Sequence, residues 1–539
     1  MIIMKTTIKC SIILTKNQYL NEWQYKCLKS KLIELENIYI IDLCNSKEIK
    51  SNIFYIRSIN NLIKKRINYS KFFKKVRFIK CSYSRRNLIN LNKKFIKLIK
   101  NDNSELIINF SHFYINLNSL SDNLSVLEFK NKNQNYLFEL PYILKQLILK
   151  RKVLNHLFFI TNKSSVKLNL SYGESKIYPW SLKKTLREYS QITFILFEKA
   201  IKKLIINKEI SLQDHHYPSN DSNDSNANTK KINILDVIFF IFSINFLKLK
   251  RLIYGLFFEK KWIVFRGKMN FKPLDLPSYF KNLNYESNLI NSLPINSKFS
   301  FYADPFLLKN EIIVEALEKS SGKGKLICID SNHGKILYNF SENLKIKKHL
   351  SYPYTIKSKD QFFIYPETGD FKNKKLINFK SFNNIKLNSN YKLKGLIDPS
   401  VINHKNIWYL FGNHRDEPCT LRLWYSKDPK FVDVLEHPLS PVYISPYGGR
   451  MGGRIFSYEG NLFRFGQDFT DSYGNGLILY KIKSLSSTYF EEEFISEIKV
   501  KSHFKGPHNI DFNNEIIVWD QYINGFDLFA GLRRVLSKL

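Results

Sequence analysis

Apolar and polar positions follow different rules in the two halves of the chain. In residues 7–16 (IKCSIILTKN), 37–43 (NIYIIDL) and 106–110 (LIINF) apolar residues run together without alternation, as in strands buried on both faces. A helical stretch holding Trp23 and Leu28 separates the first two, predicting a β-α-β opening and a doubly wound, Rossmann-like α/β domain. Lysine-rich residues 60–100 and the periodic stretches 137–150 and 181–206 read as helices, and 156–170 holds two strand-like runs. From Gln213 the pattern collapses into QDHHYPSNDSNDSNANTKK, too polar to bury a core, which predicts a linker over 212–233. Apolar bulk returns in 234–258, where ILDVIFFIFSINFL grades into KLKRLIYGLFF.

From Trp262 onward helical periodicity almost vanishes and short apolar runs alternate with turn residues. The segments YADPFLLKNEIIVEALE, LSYPYTIKSKDQFFIYPETGD, LIDPSVINHKNIWYLFGNHRD, GGRIFSYEGNLFRFGQDFTD and GPHNIDFNNEIIVWDQY align as one repeating unit. Their anchors Pro305, Pro353, Pro399, Gly453 and His508 lie 48, 46, 54 and 55 residues apart. A strand-and-turn period of that order marks propeller blades of about four strands each. The expected organisation is therefore an α/β domain over 1–211, a linker over 212–233, a connecting helix over 234–260 and an all-β five-bladed propeller over 261–539. A β-sandwich is the alternative, but it leaves the acidic strand ends at blade spacing unexplained.

In a propeller the innermost strands line a central channel and their ends rim a funnel. The equivalent inner position is filled by Asp304, Tyr352, Asp398, Gly452 and His508, and the following strands end near Glu315, Glu367, Asn413, Gln467 and Asp520. Carboxylates, amides and aromatics at one rim suit sugars, whose hydroxyls need hydrogen bonds and whose ring faces stack. Glu367, in the apolar context IYPET, fits a proton donor with a raised pKa. The expected site is Asp304, Glu367 and Asp398 for acid-base contacts, completed by Tyr352, Arg450, Gln467, Asp468 and His508. Arg450, Arg454 and His414 would favour an anionic group on the ligand. Asp-Pro at a strand entrance is also a common turn pair, so each aspartate has a purely structural alternative.

Composition changes this picture little. A net charge of +37 would suggest nucleic acid, but lysine, asparagine and isoleucine are inflated together and the lysines are scattered, so a solvated basic surface is expected and no specific nucleic acid partner. The helix at 234–258 is different: apolar bulk flanked by Lys248, Lys250 and Arg251 suits an anionic membrane surface. Six scattered cysteines without zinc spacing, no cleavable leader and no long apolar span point to the cytoplasm, peripheral at the inner membrane. No GxGxxG or GxxxxGK follows a strand, so no nucleotide cofactor is expected, nor any metal; His215 and His216 lack a rigid frame.

The runs ADPF (303–306), HLSYP (349–353), YPET (365–368), DPS (398–400), GGRMGGRIF (448–456), RFGQD with YG (464–468, 473–474) and GPHNID (506–511) resemble the propeller of the glucosamine inositolphosphorylceramide transferase family and its bacterial relatives. The resemblance implies a five-bladed fold similar to glycoside hydrolase family 43. In those hydrolases a first-blade aspartate is the general base, a third-blade aspartate tunes it and a glutamate is the acid; Asp304 and Asp398 match the first two. The fourth blade offers Gly452 and Arg450 where the acid would stand, leaving Glu367. In plant relatives a separate glycosyltransferase domain follows the propeller; the sequence to Leu539 holds no counterpart, so transferase activity is not carried over. Bacterial relatives place a formyltransferase-like domain first, and 1–210 is similar in outline through Trp23, Gln24 and the strand at 106–110. The stretch 124–144, where that family supplies a catalytic histidine, has none, which implies a degenerate scaffold. The expected role is to bind or act on a glycan or glycolipid precursor in envelope glycoconjugate synthesis; the alternative is a non-catalytic scaffold.

Overall fold

The computed structural model describes residues 7–15, 20–43, 76–83, 88–90, 103–111, 114–115, 125–130, 139–161, 167–206, 234–285, 290–368, 376–388, 395–500 and 502–536. They fall into two compact units, 1–245 and 246–539.

The first unit is built on a nine-stranded mixed sheet. Ile8–Thr15 pairs in parallel with Ile33–Leu43 on one side and Leu106–Asn109 on the other, with the helix Glu22–Leu28 crossing between the first two. Trp23 of that helix seals the layer, its ring 5.3 Å from Phe110 and 5.2 Å from Phe129. Ser125–Lys130 extends the parallel part, and Val153–Thr161 and Lys167–Lys176 add an antiparallel edge. The helices at 139–148 and 182–206 form where the periodicity places them. The helix expected across 60–100 is corrected: Val76–Tyr83 and Leu88–Asn90 are strands, the first a parallel neighbour of Ile33–Leu43. VRFIKCSY carries β-branched and aromatic residues that suit a ladder, and pairing outweighs the lysine pattern. The linker at 212–233 lies outside the described residues. Among the described residues no helix is long and apolar enough to cross a membrane.

The second unit is a five-bladed β-propeller. Blades one to four run in chain order from the inside outward, starting at Phe299–Leu308, Leu350–Ser358, Leu396–His404 and Tyr447–Met451. Blade five is a composite. Ile510–Phe512 and Ile516–Phe526 form its inner half, and Phe258–Lys268 with Ile290–Ser292 forms its outer half. Phe258–Lys268 pairs antiparallel with Ile516–Phe526 along its whole length, from Phe258 opposite Phe526 to Lys268 opposite Ile516. The ring is thus closed by stitching its first strand to its last, which removes the open edge a linear row of blades would leave. The connecting helix ends at Phe257 and the strand begins at once, so the helix expected to 260 is three residues shorter. Blades four and five share an apolar cluster: fully buried Trp519, stacked on Phe265 at 5.7 Å, packs in it with Phe456, Phe465 and Leu479.

Candidate functional site

Blades one, two and three each carry the same irregularity in the inner strand. Between Ala303 and Phe306, Ser351 and Tyr354, and Ile397 and Ser400, two residues face one on the neighbouring strand. The first residue of each bulge is left-handed and none is glycine: Asp304 at φ 49°, Tyr352 at φ 45° and Asp398 at φ 48°. Each such residue costs about 1–2 kcal/mol of backbone energy. The following proline (305, 353, 399) has no N–H to leave unpaired at the break.

What the bulges accomplish is visible in their N–H groups. The Asp304 N–H donates to Asp520 Oδ2 of blade five at 2.9 Å, the Tyr352 N–H to Asp304 Oδ2 of blade one at 3.1 Å, and the Asp398 N–H to the Glu367 carboxyl of blade two. Each bulge turns its amide into the channel, where a carboxyl of the preceding blade accepts it. The irregularity therefore links blades and fixes acidic groups at one end of the channel.

Two arrangements hold charge there. Asp398, 2% exposed, receives Arg450 Nε at 2.8 Å, Arg450 Nη2 at 2.7 Å and Gln467 Nε2 at 2.9 Å, all on Oδ2. Burial pushes the Asp398 carboxyl up, and Arg450 pulls it back. On the other side His508 Nδ1 lies 3.2 Å from both Asp304 Oδ1 and Asp520 Oδ2. Burial alone would strip the proton from His508; Asp520 and Asp304 outweigh it and lift the imidazole to about 10, so the ring is cationic at neutral pH. Asp520 also accepts the His508 and Asn509 N–H groups at 3.2 and 2.8 Å.

Glu315 and Glu367 behave differently. Burial, then the neighbouring Asp398, raises Glu367 to about 8 in spite of Arg450. Burial lifts Glu315 well above the ordinary range, with Asp304 and Glu367 pushing the same way. Two carboxyls that burial pushes up, Glu315 and Glu367, therefore stand beside Asp398, on which Arg450 pulls the other way. His349 adjoins this group. The Gly324 N–H donates to His349 Nδ1 at 2.8 Å, so the neutral ring keeps its proton on Nε2, which lies 3.6 Å from Glu315 Oε1.

An aromatic wall completes the mouth. His508 lies 4.9 Å from Trp262 and 4.6 Å from Tyr473, and the Arg450 guanidinium stands 5.2 Å from the Tyr473 ring. Tyr473 is 39% exposed and so presents a ring to solvent.

Of the residues expected at the site, Asp304, Glu367, Asp398, Arg450, Gln467 and His508 share this electrostatic network. Tyr352 is fully buried within the ring wall; its hydroxyl meets Ser400 Oγ at 3.0 Å and accepts the Gly453 N–H at 3.1 Å. Asp468 anchors the loop that carries Tyr473, bonded to Lys499 Nζ at 3.0 Å, Thr470 Oγ1 at 2.7 Å and Asn475 Nδ2 at 3.1 Å. Arg454, expected to meet a ligand anion, instead ties blades together: it donates to Asp511 at 2.6 and 2.7 Å, to Thr355 O at 2.6 Å and to Leu307 O at 3.3 Å. His414 packs edge-on against Trp424 at 5.7 Å. The glycines of blade four serve contact between inner strands: a side chain on Gly453, at φ 148°, would strike the Ile510 carbonyl, and the Ile510 N–H donates to Gly452 O at 3.1 Å. Glu315, His349, Tyr473 and Trp262 were not in the expected set. Glu315 lies in the second strand of its blade at blade spacing, and His349 and Tyr473 fall in the runs HLSYP and YG, so these three carried a signal; Trp262 has none that is local.

Asp304, His508 and Asp520 each offer one ligand atom within 4.8 Å of the others, the makings of a metal site. The His508 imidazolium already stands between these two aspartates, and a metal there would have to displace its proton.

Fold and site together define a five-bladed propeller whose mouth gathers carboxyls, one arginine, an imidazolium and an exposed aromatic. Residues 290–515 match the family model described as glucosamine inositolphosphorylceramide transferase 1, N-terminal. Curated proteins named glucosamine inositolphosphorylceramide transferase 1 are similar to this chain: that of Oryza sativa subsp. japonica is 34% identical and that of Arabidopsis thaliana 30% identical, each over 152 residues. Those matches cover 27% of this chain, which spans about a fifth (20%) of the length of each relative. Among solved structures, RS223 β-xylosidase aligns at 9% identity and TM-score 0.30 over 41% of this chain and 92% of its own. Zg3597, a family 117 glycoside hydrolase from Zobellia galactanivorans, aligns at 11% and 0.28 over 51% and 92%. At these scores the likeness carries no functional inference.

Proposed function

We propose that the propeller mouth is a carbohydrate site, taking the glycan of a glycolipid or glycoconjugate precursor of the cell envelope and performing acid-base chemistry at its glycosidic linkage. The observation that carries this reading is the split between adjoining carboxyls: Glu367 raised to about 8, Asp398 clamped by Arg450. Paired carboxyls pushed apart in acidity are what an acid-base mechanism needs. In this reading Glu367 gives its proton to the leaving oxygen as the anomeric C–O bond breaks. Water or an acceptor hydroxyl forms the new bond and loses its proton to Asp304, while Asp398 and Arg450 position the sugar and Tyr473 stacks on its ring. The glycolipid in the relatives' name supports the substrate class.

A second reading, a glycan-binding or scaffold role without turnover, is favoured by how fully Asp304 is engaged by His508 and the Tyr352 N–H. A glycan array on the intact chain, followed by turnover assays on activated glycosides, separates the two. Asp398→Asn should abolish binding, whereas Glu367→Gln should bind normally and turn over at least about a hundredfold more slowly. Binding without turnover in the intact protein supports the second reading; no binding at all overturns the carbohydrate site.

For residues 1–211 we infer a degenerate formyltransferase-like scaffold, supported by parallel pairing around Ile8–Thr15 and by the missing histidine in 124–144. Cys27 and Cys328 are buried free thiols, which accords with a reducing, cytoplasmic setting.

A further inference from the structure

The helix Ile234–Phe257 presents its apolar side to solvent. Leu235, Ile238, Phe239, Phe242, Phe246, Leu249, Leu252, Ile253 and Leu256 are all exposed, with Phe239 at 71% and Phe242 at 74%. At 100° per residue these positions fall within an arc of about 140°, so they form one continuous stripe. Lys248 and Lys250, both exposed, fall just beyond opposite edges of that arc. A second exposed apolar group comes from the chain's other end: Phe526, Leu528, Phe529, Leu532 and Val535. The second is fastened to the last turn of the helix. Arg534 donates to the Gly255 and Phe258 carbonyls, the Asp527 N–H donates to Phe257 O at 2.8 Å, and Phe526 stacks on Phe257 at 6.4 Å. Composite blade five is what brings them side by side, because it pairs the strand that follows the helix with the strand that precedes the C-terminal segment.

We propose that the second half of this helix, 246–257, and the segment 526–536 form one membrane-docking face that lies in the interface of an anionic bilayer without crossing it. Charge decides the occupant. Lysines bordering both edges of an apolar stripe can reach lipid headgroups while the stripe sinks among the acyl chains. A second copy of this chain would set the same cationic borders, on a protein of net charge +37, against each other. The inference is independent of what the funnel binds.

The test is co-sedimentation of the full chain with phosphatidylcholine vesicles, with and without about 30 mol% phosphatidylserine. The intact chain should partition onto the anionic vesicles. Phe246→Ser/Leu249→Ser/Leu252→Ser should lower the partition coefficient at least about tenfold, and Leu528→Ser/Phe529→Ser several-fold. Lys248→Gln/Lys250→Gln should cost about fivefold per lysine on anionic vesicles and nothing on neutral ones. All these side chains are exposed, so thermal midpoints and soluble-sugar binding should stay unchanged. The proposal is overturned if the intact chain remains in the supernatant, or if the triple helix variant binds as well as the parent. It is equally overturned if light scattering without lipid shows a dimer that this variant disperses, since the face then belongs to a second copy.

Discussion

Replacing Glu367 by glutamine should make the protein more stable at high pH while impairing the site. The carboxyl is raised from 4.5 to about 8, mainly by burial and then by Asp398. Between these two values the folded protein holds a proton that the unfolded chain has released, so folded stability falls as pH rises. The contribution is fully present below the unfolded pKa and is gone once pH passes the folded one. Each tenfold change in acidity is worth about 1.4 kcal/mol, so the whole effect is on the order of 5 kcal/mol. Glutamine keeps the shape and an acceptor for the Asp398 N–H but has no proton to lose. Urea unfolding of parent and Glu367→Gln across pH 4 to 9 isolates the effect together with the smaller push that Glu367 exerts on Glu315. The difference should be near zero below about pH 4.5 and grow to several kcal/mol in the variant's favour by about pH 9. A flat difference curve would refute the buried, proton-bearing Glu367 and with it the proton donor of the proposed mechanism.

Three further outcomes follow from the same geometry. Arg450→Met strands a buried carboxylate and should cost about 3–5 kcal/mol at pH 8, most of it regained on adding Asp398→Asn; a double-mutant cycle by chemical denaturation measures this, and additivity would show the pair to be energetically independent. Arg454→Met removes donors shared by blades one, two and five and should lower stability by about 3 kcal/mol or more, read as a lowered denaturant midpoint for the second unit, whereas a merely ligand-facing arginine would leave it unchanged. Tyr473→Ala should weaken sugar binding about five- to tenfold with no change in melting temperature, checked by calorimetric titration.

The blade repeat was legible because its marks are local. Asp-Pro in YADPF and LIDPS writes a left-handed bulge and its missing N–H into adjacent residues, and Asp304 and Asp398 sit there by that rule. Glu367 could be read as a raised acid because its own strand is apolar. Arg454 misled, since an arginine among glycines looks the same whether it meets a ligand or a neighbouring blade.

What the sequence by itself determined is the unit: strand lengths, turns, bulges, and the polar residues each bulge presents. Only the tertiary structure decided which residues share a space. Trp262 reaches His508 because the first strand of the ring lies against the last, more than two hundred residues away, and no local pattern records that pairing. Ring closure also joined the exposed stripe of residues 246–257 to the C-terminal segment. Charge follows the same rule: Glu367 is raised by burial and then by Asp398 of blade three, and His508 by Asp520 and by Asp304 of blade one, because electrostatics in a buried site depends on distance in space.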